Sequence, residues 1–380
     1  MCRASPEHFR GRSVRPPALV KRHDAAETGC EEMVSHETTR FHVGVSMLRR
    51  IVGPIALVLI GIAPNSAGAQ PPRATRDTTI DAATRGRIID TLITRLVAGY
   101  VFPEKALEVA GDLRGRVARG EYQHLTSAIG FADSLTAHLQ SVTHDKHLRV
   151  FYSDRPPNSP QPNQPSMRER LIADNYGVGR PERLEGNVAY LELRTFGLPP
   201  DMIGDALAEA MTAVADADAL IVDVRNNGGG SPFTVALVSS YLFGPDTVHL
   251  NSLYFRPANR TDHFWTRAVV PGKRFGPTKP LFVLTSRRTF SAAEEFTYNL
   301  QTRKRAVIVG DTTGGGAHPG GGQTLGNGFG VFVPSGRAIN PITKTNWEGT
   351  GVRPDIPVSS DKAREAAHRA ALDSLRRRTS

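Results

Sequence analysis

Residues 219–224 read Ala-Leu-Ile-Val-Asp-Val, a continuous apolar run of strand length. A strand that offers water no polar face must be covered on both sides, the condition of a parallel strand inside an α/β layer. The flanking sequence supplies the covering elements. A strand is predicted over 187–193, helices over 200–215 and 233–242, a strand over 281–284, a helix over 292–303 and a strand over 306–309. Strands alternating with helices give an α/β domain, placed at 187–360. Three glycine-rich loops, at 228–230, 314–316 and 320–322, follow buried strands, where the ligand-facing loops of such sheets lie.

A different period precedes this domain. Ile88, Ile89, Leu92, Ile93, Leu96 and Val97 recur at helical spacing, Pro103 interrupts, and the pattern resumes over 106–117 and 125–139. A small helical domain is predicted over 80–150, closing on a strand-like run at 148–152. Residues 151–186 carry Pro156, Pro157, Pro160, Pro162 and Pro165 and read as a linker with no regular element. The 361–380 segment is a basic helix or tail, with one solvated face and no interleaved aromatics, so nucleic-acid binding is not expected despite the net charge of +10.

The 47–69 segment has the layout of an export signal: Arg49 and Arg50, an apolar stretch over 51–62, and Ala67-Gly68-Ala69 as a cleavage site after Ala69. Gly53 and Pro54 interrupt the stretch, which is short for a membrane span; a buried helix or an uncleaved anchor is the other reading. Residues 1–46 read as an upstream extension or a disordered segment, with translation starting at Met47, and 70–79 as a polar leader. A periplasmic or secreted protein is expected. Its two cysteines, Cys2 and Cys30, both precede the signal, which excludes a disulfide framework and a cysteine-ligated zinc from the mature chain.

Ser291 stands at a predicted strand-to-helix junction, in Phe-Ser-Ala-Ala-Glu. Ser-x-x-Glu is a capping box. The same position suits a nucleophile, because the next amide, of Ala292, and the helix dipole would stabilise an oxyanion. Gly228, Gly229 and Gly230 form a tight turn or a cradle for an oxyanion or phosphate. No Lys-Ser/Thr pair follows, so a nucleotide P-loop is excluded. His144 and His147 are a close pair without a third ligand nearby, so no metal or other cofactor is expected. His147 is instead a candidate general base, with a rise in activity through the ordinary histidine pKa of about 6.5. His318 is the alternative base, or a loop histidine fixing the turn before Pro319. Trp347 lines a groove or covers the core edge.

The ordered segments DVRNNGGG, TSRRTFSAAEEF, GDTTGGGAHP and NWEGTGVRPDIPV resemble the carboxyl-terminal processing (tail-specific) serine peptidase superfamily, over about residues 80–358. The likeness is greatest to the branch holding the tricorn core peptidase and the repeats of interphotoreceptor retinoid-binding protein. The resemblance implies a crotonase-like core of ββα units behind a helical domain. Residues 148–186 fall below the ~50-residue floor for a domain, so the PDZ-like domain that the processing enzymes insert there is expected to be absent. The resemblance implies Ser291 as nucleophile and Gly228, Gly229 and Ala292 as the oxyanion hole. Gly316 stands where one branch carries its lysine base. In the tricorn branch a histidine is oriented by a glutamate through a serine; His147 and Glu348 match that pair, and Lys146 stands in the serine's place. The implied function is an exported serine peptidase acting on peptides or unfolded protein segments. The other reading is a binding protein that holds an apolar small ligand on the same scaffold. A homo-oligomer is compatible with both.

Overall fold

Three helices begin the described chain, and each start has a local cause. Asp81 accepts from the Thr84 amide (2.7 Å) to open α1 (Ala82–Gly99). Pro103 occupies the first turn of α2 (Pro103–Ala118), where no amide is needed. Ser127 caps α3 (Ala128–Thr143) by accepting from Gly130 N–H (2.8 Å). Leu92, Leu96, Leu113, Phe131, Leu135 and Leu139 meet between them, fully buried. The computed structural model describes residues 75–155 and 165–379; the upstream extension, the export signal, most of the leader and part of the linker fall outside these. Among the described residues no helix is long and apolar enough to cross a membrane.

The remaining elements follow in order: β1 (Arg149–Tyr152), α4 (Met167–Ala173), β2 (Glu182–Leu184), β3 (Val188–Glu192), α5 (Pro200–Val214), β4 (Ala219–Asp223), α6 (Pro232–Ser240), β5 (His249–Phe255), β6 (Arg260–Trp265), β7 (Leu281–Thr285), α7 (Ala292–Thr302), β8 (Val307–Gly310), β9 (Gly320–Gly326), β10 (Phe329–Pro334), β11 (Gly336–Ile339), β12 (Ile356–Pro357) and α8 (Ala363–Thr379). The largest sheet has the order β12-β8-β7-β4-β3-β2, parallel except for β2. Helices α5 and α7 cover one face, with α6 packed against both. Helix α8 covers the other through Ala363, Ala366, Ala367 and Ala371. The basic C-terminal segment is thus a helix with one face buried and its arginines outward. The apolar run in β4 is wholly buried, as two-sided cover requires.

Three expectations are corrected. The linker is not without structure, because its prolines stop at Pro165. Ser166 and Glu169 then form a reciprocal capping box that starts α4, and β2 joins the main sheet. The glycines at 320–322 open a strand rather than a loop. A Cβ at Gly320 would strike the Val333 carbonyl, so the close approach of β10 is what glycine permits there. The helical region does not close its own core. β1 pairs with β10, and Leu325, Phe329, Val331 and Val333 complete the apolar cluster of α1–α3. The smaller sheets, β1-β10-β9 and β11-β5-β6, carry polar or glycine-rich strands whose alternation is too weak to read from sequence.

Candidate active site

Strand β7 ends beside β4, and the chain turns sharply at Ser291 into α7. Ser291 has φ 55° and ψ −122°, a conformation that costs a non-glycine residue of order 1–3 kcal/mol unless its surroundings enforce it. They do. Phe290 N–H donates to the Asn227 carbonyl (3.1 Å) and the Thr289 hydroxyl to the Val224 carbonyl (2.9 Å), which ties the turn to the end of β4. Ser291 N–H donates to Glu294 Oε2 (2.9 Å). The two readings of Ser-x-x-Glu are therefore not rivals: Glu294 caps the helix start and also holds the strained turn.

Glu294 does more than its place in a capping box suggests. It is fully buried and also accepts from Thr313 Oγ1 (2.5 Å), Gly315 N–H (2.6 Å) and Gly316 N–H (2.9 Å). Burial pushes its carboxyl upward, and these hydrogen bonds oppose that shift. One carboxylate thus fastens the Ser291 turn to the second glycine loop.

The first glycine loop lies against the same turn. A Cβ on Gly229 would sit 2.7 Å from Ser291 Cβ and 2.8 Å from Ala292 N, and its φ of 105° also favours glycine. Gly229 N–H, however, donates to Asn227 Oδ1 (2.9 Å), while the N–H groups of Gly228 and Ala292 meet no acceptor among the described residues. Gly229 therefore serves close approach, and among the described residues the unengaged amides are those of Gly228, the residue before Gly229, and Ala292, the residue after Ser291.

The other side of the site starts at the end of α3, where His144 takes a left-handed conformation (φ 57°) and turns the chain inward. Asp145, 1% exposed, accepts from His318 Nδ1 (2.8 Å), from the Tyr100 hydroxyl (3.2 Å) and from His147 N–H (3.0 Å). The His147 ring lies 4.5 Å from the ring of Phe290 and is stacked 5.7 Å from that of Phe332. Burial pushes its pKa down to about 4, with Asp145 opposing, so the expected value near 6.5 does not hold. Glu348 Oε2 accepts from Ala317 N–H (2.5 Å) and lies 3.5 Å from His318 Nδ1; among the described residues Oε1 is buried without a partner, as is His147 Nδ1. Burial pushes the Glu348 carboxyl up to about 7, with His318 opposing.

The structure thus gathers His147, His318 and Glu348, three residues singled out from sequence, and adds Asp145, which was not. Ligand atoms of Asp145, His147 and Glu348 lie within 4.8 Å of one another, a spacing a metal ion could use, though both Asp145 oxygens already accept hydrogen bonds. Among the described residues no hydrogen bond joins the Ser291 hydroxyl to either imidazole. Gly316 links the two sides. A Cβ there would strike the Phe290 ring and lie 2.6 Å from His147 Cε1, so these rings fill the room a side chain would need. Lys146 reaches out to the Gly314 carbonyl (2.5 Å). Trp347 is buried and donates to the Gly316 carbonyl (2.7 Å), which makes it part of the core edge. Asp145, which was missed, had one faint signal, lying two residues before a singled-out histidine; Glu294 was read as the end of a capping box, and its contacts with the second glycine loop were not legible there.

Residues 187–358 match the profile of peptidase family S41, and residues 82–180 that of the N-terminal domain of peptidase S41 in eukaryotic IRBP. Carboxyl-terminal-processing peptidase 2, chloroplastic, of Arabidopsis thaliana is 28% identical over 185 residues, 47% of this chain. The aligned part spans only 34% of that relative. A structure from Parabacteroides merdae, described as a candidate peptidase, superposes with TM-score 0.52 at 20% identity, covering 76% of this chain and 96% of that one. A lipoprotein from Streptococcus agalactiae gives 0.50 at 15%, covering 76% and 96%. The tricorn protease gives 0.50 at 13%, covering 77% and 36%. At such identities the structures establish a shared fold, and the two sequence profiles carry the assignment: the chain belongs to peptidase family S41.

Proposed function

We propose that this chain is a serine peptidase that cleaves peptides or unfolded protein segments through an acyl-enzyme. The observation that carries this reading is the strained Ser291 turn, packed against Gly229, with the unengaged amides of Gly228 and Ala292 next in sequence to these two residues and the His147 ring against Phe290. Ser291 Oγ attacks the scissile carbonyl carbon and its proton passes to His147. The carbonyl oxygen, now negative, is held by the N–H groups of Gly228 and Ala292. The same proton then goes to the departing amine as the C–N bond breaks. Water, deprotonated by His147, adds to the acyl group and releases Ser291. A histidine accepts a proton well only while neutral, and burial keeps His147 neutral across the physiological range. Glu348 would stabilise the imidazolium that forms.

A lysine base is disfavoured, because Gly316 holds its place and the rings of Phe290 and His147 occupy the room around it. We read the domain as a crotonase-like core without an inserted PDZ-like domain, and the 47–69 segment as directing export to the periplasm or beyond, with cleavage after Ala69. The missing hydrogen bond between Ser291 and the imidazoles favours a second reading, a binding protein for an apolar small ligand; catalytic hydrogen bonds in unliganded enzymes are, however, often long. Labelling with a fluorophosphonate separates the two. Wild type is expected to label and Ser291→Ala not to; equal labelling of both overturns the nucleophile.

A further inference from the structure

The sheet β1-β10-β9 has two unlike faces. Val150, Val331, Val333 and Gln323 share one, packed on the helices. The strand register puts Phe151, Gly330, Phe332, Gly322 and Thr324 on the other. This second face leads away from the catalytic centre, because Phe332 stacks on His147. Phe151, 46% exposed, lays its ring where a Cβ on the neighbouring Gly330 would be. Gly322, directly across from Phe332, is exposed and has nothing within 4 Å of a Cβ position. A cleft of about 730 Å³ opens over Phe151, Gly330, Gly322 and Thr324. β9 is the edge strand here, and among the described residues nothing pairs with its outer side.

We infer that this face is the floor of the substrate trough, taking an extended peptide that adds to the free edge of β9 and sets two apolar side chains on Phe332 and Phe151. The inference rests on the peptidase reading and names the substrate feature that reading leaves open. Alternate side chains of a strand fall on one face about 6.8 Å apart. Phe332 and Gly330, the latter covered by Phe151, stand two residues apart on β10 and offer that repeat. Gly322 leaves the side of the Phe332 station open, so a large side chain enters there without displacing the protein. Phe332 stacks on His147, whose ring also meets that of Phe290, the residue before Ser291, so a peptide held at the Phe332 station lies on the side of the sheet that faces these rings. Edge addition supplies main-chain hydrogen bonds for any sequence, and the two rings supply the selection.

The test separates this inference from the catalytic one. Full-length Ser291→Ala protein is titrated, by fluorescence polarisation, with labelled peptides carrying two phenylalanines in a serine–threonine background at spacings of one, two and three residues. The spacing of two is expected to bind about tenfold more tightly than the others, as burial of one added ring allows. Adding Phe151→Ser should reduce that advantage below about twofold. Adding Gly322→Val, which the open space accommodates, should weaken binding of the favoured peptide, with circular dichroism unchanged in both. Equal affinity at all spacings, or an advantage that survives both substitutions, overturns the trough. Fluorophosphonate labelling of the wild type reports on Ser291 separately: labelling without spacing preference removes the trough alone, and spacing preference without labelling removes the peptidase reading alone.

Discussion

Ser291 and Glu294 lie three residues apart on one turn, whereas His147, His318 and Glu348 come from the end of the helical region, the approach to β9 and the loop before β12. On the Ser291 side, the network around Glu294 is saturated. The four polar contacts of Glu294 are all made, and the turn is tied to β4 at two further points. The histidine side holds two carboxyl groups and two imidazoles in a buried cluster and, among the described residues, leaves His147 Nδ1 and Glu348 Oε1 without partners. Saturated networks fix geometry, and incomplete ones leave room for a proton to move. A filled network around Glu294 thus faces an incomplete one around His147 and Glu348.

The strongest way to break the comparison is to unsettle the filled side. Glu294→Gln keeps shape but sets an NH₂ against groups that are mostly donors. With unsatisfied buried groups at about 1–3 kcal/mol each, a loss of about 3 kcal/mol or more is expected, together with loss of fluorophosphonate labelling. Thermal denaturation followed by circular dichroism reads the first part. A Tm unchanged from wild type would mean that Glu294 does not hold the turn.

The histidine side should respond in rate rather than in stability. His147→Ala is expected to lower kcat by about 10²–10⁴-fold, the usual contribution of a general base, and His318→Ala by about tenfold through Asp145. Steady-state kinetics on one peptide decides between them. If His318→Ala gives the larger loss, the roles of the two histidines are exchanged.

Acidity sharpens the division further. Glu348 is protonated below about 7 and cannot then support an imidazolium, so kcat/KM should rise with pH through about 7. His147 is already neutral there, its own transition lying near 4. Glu348→Gln should remove the rise near 7 and leave a low, flat rate; a wild-type profile already flat between pH 6 and 9 contradicts the assignment. The smallest effect is reserved for Lys146→Ala, whose exposed ammonium only bridges to the Gly314 carbonyl; kcat/KM should stay within about threefold.

The same division explains what sequence could reveal. The order of β3, β4, β7 and β8 with their covering helices follows from apolar runs and helical periods, which are local. So does Ser291, set by a strand, a turn and a helix in succession. Asp145 is one acidic residue among the chain's 37 Asp and Glu, and its carboxylate is made special by Tyr100 and His318, 45 and 173 residues away. No local pattern records such a meeting. β9 and β10 escaped for a related reason: glycines carry no alternation, and the strand character of 320–322 comes from the approach of β10. The resemblance to a known family supplied Glu348, which period and spacing did not.

The pairing of β1 with β10 sets an order of events during synthesis. Tyr152 must wait for Phe329, and at about 5–20 residues per second the intervening chain takes roughly 10–35 s to make. Until then α1–α3 lack the strands that close their apolar cluster, and His147 lacks Phe290, Phe332 and Glu348. A growing chain therefore carries His147 long before it carries the residues that surround that ring in the folded protein.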